Sequence, residues 1–298
     1  MFTSHLGELA ALGTAGCWTV TAMAFESAGR RVGSLSVNLI RLVMALIFIS
    51  LFCWITRGRL FPDDATPYAW LWLSVSGLVG FCIGDLCLFR AFVLVGARIS
   101  MLIMALVPPI TALLGWMLLG ETLTGLDWTG MAITVCGVAW VVLERKKKED
   151  GQPSRLPLWG ILLAFLGALG QAVGLVLSKL GMGDYNPFAA TQIRIIAGIG
   201  GFALLFSMVG WWPRVKTALK DRGAFLRINL GAFFGPFLGV SLSLAAVQYT
   251  ETGVASTIMS IVPVLIIVPT VLIFKEKVSL RAVLGAVVAV AGVALLFL

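Results

Sequence analysis

Asp85 is the residue with the most chemistry to account for. It stands in the apolar run LVGFCIGDLCLF, with no basic residue one turn away. If that run crosses a bilayer, an ionised carboxylate at its depth is unfavourable by roughly 2.5–3.5 kcal/mol, so the group should face a cavity or a partner. In a cavity it would bind a substrate ammonium or a coupling proton. Against a partner it would be a neutralised structural acid. Arg41 and Arg194 come next, each inside an apolar segment. A guanidinium there either grips a carboxylate through its planar fork, or snorkels or hydrogen-bonds between helices. Around these charges, Trp18, Asn38, Gln171, Ser241, Ser243 and Ser260 offer hydrogen bonds, and Met101, Met104 and Met259 offer soft surface. Few charges and many adaptable surfaces suit a moderately apolar substrate held by hydrogen bonds, and not a sugar phosphate.

Other chemistries lack their residues. The single histidine, His5, lies at the amino terminus, so no zinc or His-based catalytic constellation can form inside. Cys17, Cys53, Cys82, Cys87 and Cys136 all fall in apolar segments without a CxxC pair, and read as small buried hydrophobes. No P-loop is present to use ATP. No enzyme, metal or cofactor is expected.

The elements that must position these residues are membrane helices. Of 298 residues, 59% are hydrophobic and 12% charged, with a mean hydropathy of +1.01. A soluble domain is nearer a quarter charged. The net charge of +8 lacks the basic stripe with stacking aromatics that nucleic acid would need. A span takes roughly 20 apolar residues. Ten such segments are predicted, near 6–26, 33–56, 68–90, 97–119, 124–143, 157–180, 186–210, 223–247, 252–274 and 279–298. The start lacks the basic head of a secretory signal and reads as the first span. Tyr68, Trp70, Trp72, Trp211 and Trp212 fall where an interfacial belt would sit.

The chain is built twice. A shift of 155 positions lays Gly80 on Gly235, Gly84 on Gly239, Met104 on Met259, Pro108 on Pro263, Glu121 on Glu276 and Gly137 on Gly292. Earlier in each half a shift of 153 lays Arg41 on Arg194 and Glu26 on Lys179. The polar stretch 144–156 separates residues 1–143 from 157–298. Five helices per half is an odd number, so the second half should enter from the opposite side. The expected architecture is an all-α membrane protein of ten helices, in two inverted five-helix repeats around a central cavity. Gly80, Gly84, Gly235 and Gly239 would let helices approach and slide. Pro108 and Pro263, read as mid-helix kinks, would be gating hinges. Glu26 and Lys179 should not pair. Glu121 and Glu276 suit the positive ends of the helices that follow.

Seventeen of the 22 Lys and Arg fall in alternate connections, around Arg30, Arg98, Lys146, Lys216 and Arg281. Arg57, Arg59 and Lys179 occupy the others. The positive-inside rule then places the first set in the cytosol and both termini outside.

The pattern Ala246…Gly253-Val254-Ala255…Pro263-Val264…Lys275-Glu276…Gly285…Ala291-Gly292-Val293 resembles the drug/metabolite transporter superfamily, in its ten-helix members with two EamA repeats. Ala91…Pro108…Gly120-Glu121…Gly130…Gly137-Val138 is the fainter first copy. Trp18 looks like the family's first-helix tryptophan, whereas Gln171 and Arg90 depart from its pattern. The resemblance implies a basket in which helices one to four and six to nine enclose a cavity, with five and ten at the side. It also implies export of amino acids, aromatic or neutral, or of related metabolites across a bacterial inner membrane. A multidrug or quaternary-ammonium carrier using Asp85, and a non-transporting scaffold, stay open. The expected partners are a small-molecule substrate and the lipid bilayer; the chain is taken as monomeric.

Overall fold

Glycine and other small residues, more than charge, decide which helices touch. The computed structural model describes residues 6–119, 124–142, 146–147, 153–154, 157–249, 255, 258–275 and 278–295. Glu121, Glu276, Ser256, Thr257 and most of the 144–156 stretch lie outside the described residues.

The helices are α1 (Leu6–Val32), α2 (Ser34–Arg57), α3 (Pro67–Val95), α4 (Ala97–Met104), α5 (Val107–Leu119) and α6 (Gly125–Val142). After a two-residue pairing of Lys146–Lys147 with Pro153–Ser154 come α7 (Leu158–Met182), α8 (Pro187–Val209), α9 (Trp212–Lys220) and α10 (Arg222–Tyr249). The described chain ends with α11 (Val262–Leu265), α12 (Ile267–Phe274) and α13 (Leu280–Leu295). Among the described residues, six stretches are long and apolar enough to cross a membrane: α2, α3, Ala97–Leu114, α7, α8 and α10. Shorter apolar helices lie at Trp128–Val141, Val262–Ile273 and Leu280–Leu295. Large apolar side chains such as Ile55, Met117, Met208 and Leu272 are exposed. This is the outer surface of a membrane protein, whose solvent is hydrocarbon.

Segment starts follow local chemistry. Thr66 caps α3 by accepting from the Ala69 N–H at 3.2 Å, with Pro67 at the first position. Asn186 caps α8 through Phe188 N and Ala189 N, ahead of Pro187. Proline belongs at such positions because its missing N–H has no partner to lose. The same logic corrects the reading of Pro108 and Pro263 as mid-helix kinks. Each is the second residue of a new segment, α5 and α11. The helix breaks just before them, at Ala105–Leu106 and at Ser260–Ile261. The amphipathic α9 is an element the sequence reading left inside a connection. Its charged face and poor hydropathy give no signal of a span.

Two widened turns interrupt the long helices. Leu78–Gly84 in α3 and Phe233–Gly239 in α10 are π-helical, with the extra residue per turn that such segments carry. They lie 155 positions apart, as do the two breaks.

The principal helix contacts run between the two ends of the chain. α1 packs along α10, α3 along α7, and α2 against α8. α6 and α13 pack along each other beside the rest. There a Cβ added at Gly137 would meet the Ala289 backbone, and one at Gly292 the Thr134 backbone. Polar clamps tie the connections. Asp64 accepts from Arg57 at 2.6 Å and from the Tyr185 hydroxyl at 2.7 Å. Burial would raise the Asp64 carboxyl, but these two donors hold it below the usual range, while burial and Asp64 push the Tyr185 phenol up to about 12. Near the α9–α10 junction, Asp221 caps α10 through Ala224 N and pairs with Arg31. Glu26 pairs with Arg30 and accepts from Ala97 N, so it ties α1 to the start of α4.

Candidate functional site

α3 carries a stripe at helical spacing: Phe81, Asp85, Leu88, Phe89 and Phe92. All five border a cavity of about 150 Å³. One enclosed water needs about 10–15 Å³ of such space, so a solute on the order of ten heavy atoms fits. The wall is completed by α1 (Trp18, Thr21, Ala22, Phe25), α2 (Arg41) and α4 with α5 (Met101, Met104, Val107, Pro108, Thr111). From later in the chain come Gln171 and Leu175, Arg194, and Gly235, Pro236, Val240 and Ser243. Met259, Ser260, Val262 and Pro263 close it.

One polar knot sits in this wall. Arg41 Nη2 donates to Asp85 Oδ2 at 2.5 Å, and Gln171 Nε2 donates to Asp85 Oδ1 at 2.7 Å. The π segment supplies further acceptors. Its wide turn leaves the Gly80 carbonyl for Gln171 at 3.3 Å and the Phe81 carbonyl for Arg41 at 3.5 Å. Asn38 finishes the knot, accepting from Arg41 Nε at 3.2 Å and donating to the Asp85 carbonyl at 3.3 Å. The Arg41 guanidinium also lies 4.5 Å over the Phe89 ring. An acid and a base taken out of water together, with their remaining valences filled, make a buried pair that tolerates the apolar surroundings.

The structure therefore sorts the predicted residues. Trp18, Arg41, Asp85, Met101, Met104, Gln171, Ser243, Met259 and Ser260 are brought together in the wall, with Pro108, Gly235 and Pro263. Asp85 is not a free acid awaiting an ammonium; Arg41 and Gln171 occupy both its oxygens. Asn38 is fully buried outside the wall, spent on Asp85, Arg41 and the Ser34 carbonyl. Ser241 is also fully buried and does not border the cavity. Gly80 and Gly84 are not wall residues either. They are contact points where α3 meets Gly174 and Gly170 of α7, and Gly239 meets Trp18. The sequence reading picked out Thr21 as a polar group on an inward-capable helix, and missed the aromatic stripe and Thr111. The spacing of Phe81, Asp85, Phe89 and Phe92 was the signal that could have found it.

The model of the EamA-like transporter family matches residues 5–143 and again 158–298. The "Uncharacterized transporter YetK" of Bacillus subtilis is 23% identical over 265 residues, covering 87% of this chain and 76% of that protein. The "Putative ribose uptake protein RbsU" of Lactiplantibacillus plantarum is 25% identical over 248 residues, covering 78% and 77%. A solved crystal structure shares the fold at a TM-score of 0.69 and 18% identity, over 97% of this chain and 95% of that one. With apolar helices around a solute-sized hollow, and one transporter family matching along nearly its whole length, the chain belongs to the EamA-like transporter family and is a multi-pass membrane transporter.

Proposed function

We propose that the chain is a secondary transporter that exports neutral or aromatic amino acids, or related small metabolites, by alternating access across a bacterial inner membrane. Residues 1–143 and 157–298 are its two five-helix repeats, threaded through the bilayer in opposite senses, with both termini outside. The observation that carries this reading is a cavity whose wall is drawn from residues 18–111 and from residues 171–263. A hollow between two halves opens to either side when they rock. The helix contacts support the same symmetry. Exchanging the halves turns the α1–α10 pair into the α7–α3 pair, and α2–α8 and α6–α13 into themselves. The paired π segments and paired breaks, 155 positions apart, are places where a helix bends without losing its hydrogen bonds wholesale. They, with Pro108 and Pro263, would be the hinges.

The quaternary-ammonium reading loses its anchor, because Arg41 neutralises Asp85. Proteoliposomes loaded with labelled L-phenylalanine, L-alanine, ribose or a cationic dye test the reading. Saturable amino-acid flux is expected. Flux of dye alone, or of ribose alone as the name of one relative would suggest, overturns the amino-acid reading.

A further inference from the structure

Arg41 and Arg194 occupy matching positions in the two halves, and both are buried in the cavity wall, 2% and 3% exposed. Their surroundings differ. Arg41 has Asp85, Asn38 and the Phe81 carbonyl. The position matching Asp85 under the 155-residue shift is Val240, which also borders the cavity and cannot ionise. Arg194 Nε has no hydrogen-bond partner among the described residues, and the guanidinium lies 4.7 Å over the face of Phe81. The second half therefore repeats the cation and omits the acid.

We propose that Arg194 is the anchor for the carboxylate of the substrate, and that the cavity reads one negative charge on a small apolar or aromatic body. This deepens the transport reading above and rests on it. Arg194 lies over Phe81 and feels Asp85 only beyond ion-pair distance, because that carboxylate is already paired with Arg41, so its burial stays unfavourable until an anion arrives. The two guanidinium groups and one carboxylate of the wall leave a single positive charge, which a monoanion cancels and a dianion overshoots. The planar fork of Arg suits a carboxylate. Two more unpartnered polar atoms, Thr21 Oγ1 and Thr111 Oγ1, border the same cavity and can donate to it. The rings of Trp18, Phe25, Phe89 and Phe92 supply the apolar remainder. No acid other than the paired Asp85 lines the wall among the described residues, so the α-ammonium of an amino acid is tolerated and not required.

The test measures binding to the purified full chain with three probes: L-phenylalanine, 3-phenylpropionate and L-phenylalaninamide. Wild type should bind the two carboxylates and bind the amide more weakly. Arg194→Gln should weaken both carboxylates on the order of tenfold to a hundredfold, the worth of one charge-assisted hydrogen bond, and should not weaken the amide, which has no carboxylate to lose its anchor. Arg194→Lys should recover part of the loss. The empty Arg194→Gln protein should also melt no lower than wild type, because the substitution removes an unpaired buried charge; a purely structural arginine would show the opposite. Equal affinity for acid and amide, or undiminished carboxylate affinity in Arg194→Gln, overturns the assignment. Arg194-dependent binding of 3-phenylpropionate with no flux of any solute would sink the transport reading and leave this one standing. Flux with unchanged affinity in Arg194→Gln would do the reverse.

Discussion

Asp85→Asn should lower the stability of the folded protein by about 3–5 kcal/mol, the range found when one partner of a buried ion pair is removed. The amide keeps the shape of the carboxylate and can still meet Gln171, so the effect isolates charge. It leaves Arg41, 2% exposed, without its counter-ion while Arg194 stands in the same wall. Two uncompensated guanidinium groups would then share one low-dielectric hollow. Removing both partners should behave differently. Arg41→Met with Asp85→Leu replaces the pair by apolar groups of similar bulk, a change that is often neutral or stabilising. The expected melting temperatures in detergent therefore fall in the order Asp85→Asn below wild type, and the double variant near or above wild type. An Asp85→Asn protein as stable as wild type would mean that the Arg41–Asp85 contact carries little of the fold.

The second large effect is steric. α3 and α7 touch backbone to backbone at the π segment, where a Cβ built on Gly170 would lie 2.7 Å from Gly84 Cα and one on Gly174 would lie 3.2 Å from Gly80 Cα. Backbone cannot step aside as a side-chain tip can. Gly170→Leu must push the two helices apart beside Gln171, and Gln171 reaches across that contact to Asp85 and the Gly80 carbonyl. The expected cost is about 3 kcal/mol, the upper end of overpacking, with loss of the Gln171 bonds and so of the ordered wall. Gly200→Ala serves as the control. Nothing lies within 4 Å of its added Cβ, and alanine in a helix interior should gain about 0.5–1 kcal/mol. Melting curves of the two variants against wild type check both signs. A Gly170→Leu protein that melts with wild type would show that the helices are not held at this spacing.

Much of the frame was legible in the sequence, because hydropathy and Gly/Pro punctuation are large local signals. Positions 33–56, 157–180 and 186–210 fall close to α2, α7 and α8. What the sequence hid depends on rotation and backbone detail. Hydropathy cannot distinguish an α turn from a π turn, so the widened segments at Leu78–Gly84 and Phe233–Gly239 went unseen, and with them the carbonyls that receive Gln171 and Arg41. Nor does composition say which face of a helix turns inward. Asn38 and Ser241 looked as able to line a cavity as Ser243, and only packing separated them. No base lies one turn from Asp85 along its own helix; its partner, Arg41, comes from α2. The two registers, a shift of 153 that pairs Arg41 with Arg194 and one of 155 that pairs Asp85 with Val240, are present in the residues. Their meaning emerges only from the contact between Arg41 and Asp85.

The claim at the centre of this account is that one hollow, walled by both halves, is reached from each side of the membrane in turn. Thiol accessibility at the wall tests it most directly. In a chain with its five native cysteines replaced, Ser243→Cys would be exposed to a membrane-impermeant maleimide, once on right-side-out vesicles and once on inverted ones. Ser243 borders the cavity and is only 4% exposed. The account predicts labelling from both faces, slowed by a bound carboxylate probe such as 3-phenylpropionate. Labelling from one face only, unaltered under every substrate gradient, would contradict it.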